Sequence, residues 1–150
     1  MYKKFALILF SAAGAVALQA TAAMAGWVAY GSTNPITSSS SSWRCQSSVR
    51  VDSIYSNVIA QVCTVRSAGG TGVQGAVIVR NNNSFLYSTS ARMTVYYDYG
   101  GTRGNWSCSS SGVGANSWSV CFGPTFAASG YRYSTSGYAN NTWLGTSPYN

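Results

Sequence analysis

Apolar and polar residues alternate with a period of two over much of this chain, and the strongest stretches come as a pair. Val58-Ile59-Ala60-Gln61-Val62-Cys63-Thr64-Val65 and Val73-Gln74-Gly75-Ala76-Val77-Ile78-Val79 are the most β-branched runs in the sequence. Between them, Ser67-Ala68-Gly69-Gly70-Thr71-Gly72 carries glycines able to take the positive φ that a chain reversal needs, so 58–80 is read as a β-hairpin. In its second strand Val73, Gly75, Val77 and Val79 share one face while Gln74, Ala76, Ile78 and Arg80 share the other. Both faces are largely apolar, as suits a strand inside a sandwich rather than at its rim.

The same reading extends in both directions. Trp27-Val28-Ala29-Tyr30 is a short apolar run suited to an edge strand, and 43–55 alternates with Val49, Val51 and Ser53 on one face and Arg50, Asp52 and Ile54 on the other. Asn81-Asn82-Asn83-Ser84 is a turn signal, because asparagine tolerates left-handed backbone and bonds its own main chain. Phe85 to Asp98 alternates most cleanly, with Ala91, Met93, Val95 and Tyr97 opposite Arg92, Thr94, Tyr96 and Asp98. Trp106 and Cys108 mark a further strand, followed by a serine and glycine loop over 109–116. Next come 117–122, with Trp118, Val120 and Phe122 on one face and Cys121 on the other, and a stop at Gly123-Pro124. Tyr131-Arg132-Tyr133 and Thr142-Trp143-Leu144 complete the series before a polar tail. No amphipathic helical period persists beyond the N-terminal segment. The expected fold is therefore all-β: an antiparallel β-sandwich, Ig-like in the broad sense, of seven or eight short strands, with a small β-barrel as the alternative.

The N-terminal segment changes the compartment. Lys3 and Lys4 precede an apolar run from Phe5 to Leu18, and Ala23-Met24-Ala25 has the small-x-small pattern of a cleavage site, so 1–25 is expected to be a secretory signal. The apolar run is interrupted by Ser11 and Gly14 and is shorter than the roughly 20 residues a membrane span needs. The expected organisation is a signal peptide at 1–25, an N-terminal segment with a serine-rich flexible loop at 26–42, and a sandwich domain at 43–150. Both lysines leave with the signal, and the remaining seven arginines against Asp52 and Asp98 give a formal charge of +5.

All four cysteines, Cys45, Cys63, Cys108 and Cys121, lie in the exported part, where an even count indicates disulfides. Four cysteines allow three pairings. Pairing Cys45 with Cys63 and Cys108 with Cys121 is preferred because each bridge then ties neighbouring strands. A metal site fits poorly: the spacings show no Cys-x-x-Cys cluster and the chain has no histidine.

The missing side chains exclude much chemistry. Without histidine there is no Ser-His or Cys-His pair, and without a retained lysine no lysine variant of it. Two-carboxylate chemistry would fall to Asp52 and Asp98, one on a strand near Arg50 and the other opening a glycine turn. No enzyme activity and no cofactor are expected. Binding is the more plausible work: Arg80, Arg92 and Tyr96 are read as projecting from the solvent side of adjacent strands, where arginine beside tyrosine grips phosphate, sulfate or carboxylate. The competing account is that these arginines only keep a nearly charge-free β-protein soluble. Of the tryptophans, Trp118 is assigned to the core and Trp106 is left open. Asn82, Asn105 and Asn140 each begin a glycosylation acceptor triplet, in a chain rich enough in Asn and Ser for chance matches.

With Gln61-Val62-Cys63, Gly75-Ala76-Val77-Ile78-Val79-Arg80-Asn81, Cys121-Phe122-Gly123-Pro124 and Thr146-Ser147-Pro148, the chain resembles small secreted β-sandwich proteins of unassigned function from Gram-positive bacteria. The likeness runs over 43–148 and implies the fold and export, with no active site to carry over. The functional expectation is a non-catalytic extracellular module that binds an anionic polysaccharide or cell-wall polymer. The alternatives are a secreted antibacterial or toxin-like protein, and a hydrolase using Asp52 and Asp98.

Overall fold

The computed structural model describes residues 24–52, 57–128 and 130–150. The expected signal peptide therefore lies outside the described residues except for Met24 and Ala25, as do the last positions of the 43–55 run. The described chain is all-β, built from two antiparallel sheets packed as a sandwich and not closed into a barrel. Its strands are β1 (Gly26–Gly31), β2 (Ser42–Cys45), β3 (Val49–Arg50), β4 (Val58–Arg66), β5 (Gly72–Asn81), β6 (Tyr87–Tyr97), β7 (Thr102–Val113), β8 (Ser117–Phe122), β9 (Phe126–Ala127), β10 (Tyr133–Ala139) and β11 (Thr142–Thr146). One sheet has seven strands in the order β1-β8-β5-β4-β2, with β3 on β4 and β9 on β5; the other has four, ordered β11-β10-β6-β7.

The β4–β5 hairpin stands where the sequence places it, in unbroken register from Val58 opposite Asn81 to Arg66 opposite Val73. Its turn closes through Ser67 N–H to Gly72 O at 2.9 Å and Gly70 N–H to Ser67 O at 2.8 Å, with Gly70 at φ +73°. The two apolar faces of β5 do different work. Val77 and Val79 enter the core between the sheets, together with Val58, Val62, Met93 and Leu144. Ala76 and Ile78 face outward with Val120, and Tyr30, Ile36, Trp43, Trp118 and Phe122 cover them. Thus the segment before the serine tract covers part of the outer face of this sheet. Asn34 holds it, accepting the Ile36 N–H at Oδ1 (2.9 Å) and the Ser38 N–H at its carbonyl (3.2 Å).

More strands form than the expected seven or eight. The 43–50 run divides into β2 and β3, and Phe126–Ala127 pairs with the start of β5 across Gly72 and Val73. The loop expected over 109–116 is shorter: β7 continues to Val113, opposite Tyr87, because its serines satisfy their backbone groups on β6 across a bulge near Thr89 and Ala91. The polar tail is also structured. Ser147 is buried against Thr64 (2.9 Å), and Asn150 exchanges backbone hydrogen bonds with Tyr133 at 2.9 and 3.1 Å.

Both preferred disulfides are present. Cys45–Cys63 joins directly opposed residues of β2 and β4 with Cα atoms 4.0 Å apart. Cys108–Cys121 does not join neighbours in one sheet; it crosses the sandwich from β7 to β8 and staples the two layers. The close approach of the layers also explains Gly137. A Cβ there would lie 3.0 Å from Val62 Cγ2 and 3.1 Å from Val77 Cγ2, both on the opposite sheet.

Candidate functional site

The four-stranded sheet presents its outer face in registered rows, and those rows define the site. Alternation along β6 turns Ala91, Met93 and Val95 into the core and leaves Arg92, Thr94 and Tyr96 outside. Cross-strand pairing then sets their neighbours. Ser107 on β7 lies opposite Arg92, Arg92 opposite Tyr138 on β10, and Tyr138 opposite Trp143 on β11. The adjacent row is polar throughout, running Asn105, Thr94, Ser136, Thr146.

Turn chemistry aligns the aromatic end of the first row. Asn140 sits at φ +49° in the two-residue link between β10 and β11, the left-handed conformation that asparagine accepts more readily than most residues. That link brings Tyr138 and Trp143 to a ring separation of 4.8 Å, and Trp143 remains 48% exposed. On the other side of Tyr138 the Arg92 guanidinium lies over the phenol ring at 4.1 Å, close enough for cation–π attraction. Thr94 donates to Asn105 Oδ1 at 2.6 Å, which orients that amide and leaves its NH₂ group for a ligand. Ser136 donates to the Tyr96 hydroxyl at 3.3 Å.

Arg92, Thr94, Asn105, Ser107, Ser136 and Tyr138 line an open groove of about 640 Å³ with no carboxylate among its lining. Met24 and Ala25 line it as well. Among the described residues the Arg92 side chain has no hydrogen-bond or ion-pair partner, so stacking holds it while its N–H donors stay uncommitted.

Of the three binding residues expected from sequence, the fold brings two together. Arg92 and Tyr96 share this outer face, but Arg80 belongs to β5 and stands on the outer face of the opposite, seven-stranded sheet. It is also committed locally: it donates from Nε to Asn82 Oδ1 (2.7 Å) and from a terminal nitrogen to Asn116 O (2.5 Å), and lies over Trp118 at 5.3 Å. Trp118 in turn is only half-buried and packs in the outer cluster of that sheet, not in the core between the layers. Trp106 lies parallel to Phe126 at 6.3 Å on the inner side and touches the groove from beneath. No family model, curated protein or solved structure matches the chain.

A second aromatic group closes the far end of the sandwich. Tyr97 stacks on Tyr99 at 4.9 Å and meets Tyr131 and Tyr133 at 5.6 and 5.3 Å. Desolvation raises the Tyr99 phenol above its ordinary value, and the neighbouring Tyr97, Tyr131 and Tyr133 phenols and the Asp98 carboxylate push the same way. Beside it Asp98 pairs with Arg132 at 3.3 Å. Asp52 is at the other end, following Val51, whose carbonyl accepts from Thr142 just beyond β10. The length of β10 separates the two aspartates by about 20 Å, more than twice the carboxyl spacing of glycoside hydrolysis.

Proposed function

We propose that this is a secreted, non-catalytic module that binds an anionic polymer of the cell envelope or extracellular matrix through the outer face of its four-stranded sheet. The observation that carries the reading is Arg92: a guanidinium fixed on the Tyr138 ring, with open donors, in a largely apolar groove whose polar groups are hydroxyls and an amide, with no acid. A buried or paired arginine would serve solubility or packing, whereas this one keeps its fork free for an oxyanion. The two disulfides fit an oxidising compartment, in line with export. Cleavage before Gly26, the site the sequence pattern suggests, would remove Met24 and Ala25 from the groove wall.

The test is retention of the oxidised 26–150 chain on immobilised anionic polymers at low and high salt. Retention is expected at low salt and lost toward 1 M, where screening shrinks to about 3 Å. Arg92→Gln should weaken binding about tenfold or more, the worth of one charge-assisted hydrogen bond, while Arg80→Gln leaves it within about twofold. Equal losses for the two variants would contradict the placement of the site, and absence of retention at either salt would contradict the function.

A further inference from the structure

Resting on that reading, we infer that the polymer is a polysaccharide of carboxylated sugar rings, lying across the strands on the Ser107–Arg92–Tyr138–Trp143 row. The distribution of charge selects against polymers bearing a phosphate at every unit. Such chains are held by tracks of cations, one near each phosphate. Among the described residues, Arg92 is the one cation that lines the groove. Arg103 leans over Phe126 at 4.6 Å, Arg132 is paired with Asp98, and Arg80 stands on the other sheet.

What surrounds Arg92 suits a sugar ring instead. Tyr138 and the exposed Trp143 supply apolar faces, and the neighbouring row supplies neutral partners for hydroxyls: Asn105 NH₂, Thr94 and Thr146. Four strands spaced as in any sheet make the row about 14 Å long, room for several linked rings rather than one. A planar carboxylate meets the edge of a guanidinium through two parallel hydrogen bonds, and stacking on Tyr138 presets the plane of that fork.

Calorimetry on the oxidised 26–150 chain at low salt, with four probes, tests this. The probes are a hexuronic acid oligosaccharide, the same oligosaccharide with its carboxyls reduced to alcohols, inorganic polyphosphate and single-stranded oligothymidylate. The hexuronate should bind tightest, and reduction of its carboxyls should cost about tenfold or more. Trp143→Ala, at an exposed position that spares the core, should weaken hexuronate binding about five- to tenfold while leaving polyphosphate unchanged. Tightest binding of polyphosphate, indifferent to Trp143, would overturn the sugar inference and leave the anionic-polymer reading standing. Tightest binding of oligothymidylate with dependence on Trp143 would replace the sugar by a nucleic acid strand. Equal binding of the carboxyl-reduced sugar would remove the role given to Arg92, and binding of none of the four would overturn both readings.

Discussion

Asn81→Leu is expected to lower the unfolding free energy by about 3 kcal/mol in urea denaturation. Asn81 is fully buried at the end of β5, where the chain leaves one sheet for the other. The two N–H groups of its amide nitrogen are shared among three carbonyls, those of Phe85, Val113 and Gly114, at 2.7, 3.0 and 3.1 Å. Its oxygen accepts the Asn83 N–H at 3.0 Å, closing the turn by a side-chain bond. One side chain thus ties the β5–β6 crossover to the end of β7. Leucine matches the volume but leaves these backbone groups without a partner in a place water reaches poorly, and each such group costs on the order of 1 kcal/mol or more. A loss below about 1 kcal/mol would show that the crossover is held by other contacts.

Removing the inter-sheet bridge should have an effect of similar size. Cys108→Ala with Cys121→Ala is expected to cost about 3 kcal/mol, from release of a loop of 13 residues in the unfolded chain. The native state adds to this, since Cys121 is completely buried and its loss leaves a small void between the layers. The check is a urea curve of the double variant against the oxidised parent. A shift of less than about 1 kcal/mol would mean that apolar packing alone holds the sheets together.

The inward, core-forming positions were more legible in sequence than the arrangement of the site. β4, β5 and β6 could be read because burial on alternate positions is written directly in their side chains, as in Ala91, Met93 and Val95 against Arg92, Thr94 and Tyr96. Asn81 to Ser84 was legible as a turn, but its cause is the Asn81 side-chain bond; among the described residues the non-glycine positive φ values fall at Asn116 and Asn140 instead. β9 was invisible, since two residues carry no period and Phe126 owes its place to Val73 and Tyr133. Arg80 and Arg92 look alike in sequence, each an arginine read as projecting to solvent from a β-strand. What separates them is the crossover between β5 and β6, which moves the chain to the other layer, and sheet membership is not a local property. Tyr138 and Trp143 went unpaired for a related reason. Their register depends on a two-residue turn at Asn140-Asn141, a signal that was available in the chain as an Asn-Asn pair between two aromatic strands.

The most direct measurement is an amide and indole NMR map of the oxidised 26–150 chain titrated with a soluble acidic oligosaccharide. The account predicts shifts confined to one face: the Arg92 side chain, Asn105 NH₂, Ser107, Ser136, Tyr138 and the Trp143 indole, with Arg80 and Trp118 silent. Shifts centred on Arg80 and Trp118, or spread evenly over all seven arginines, would contradict it.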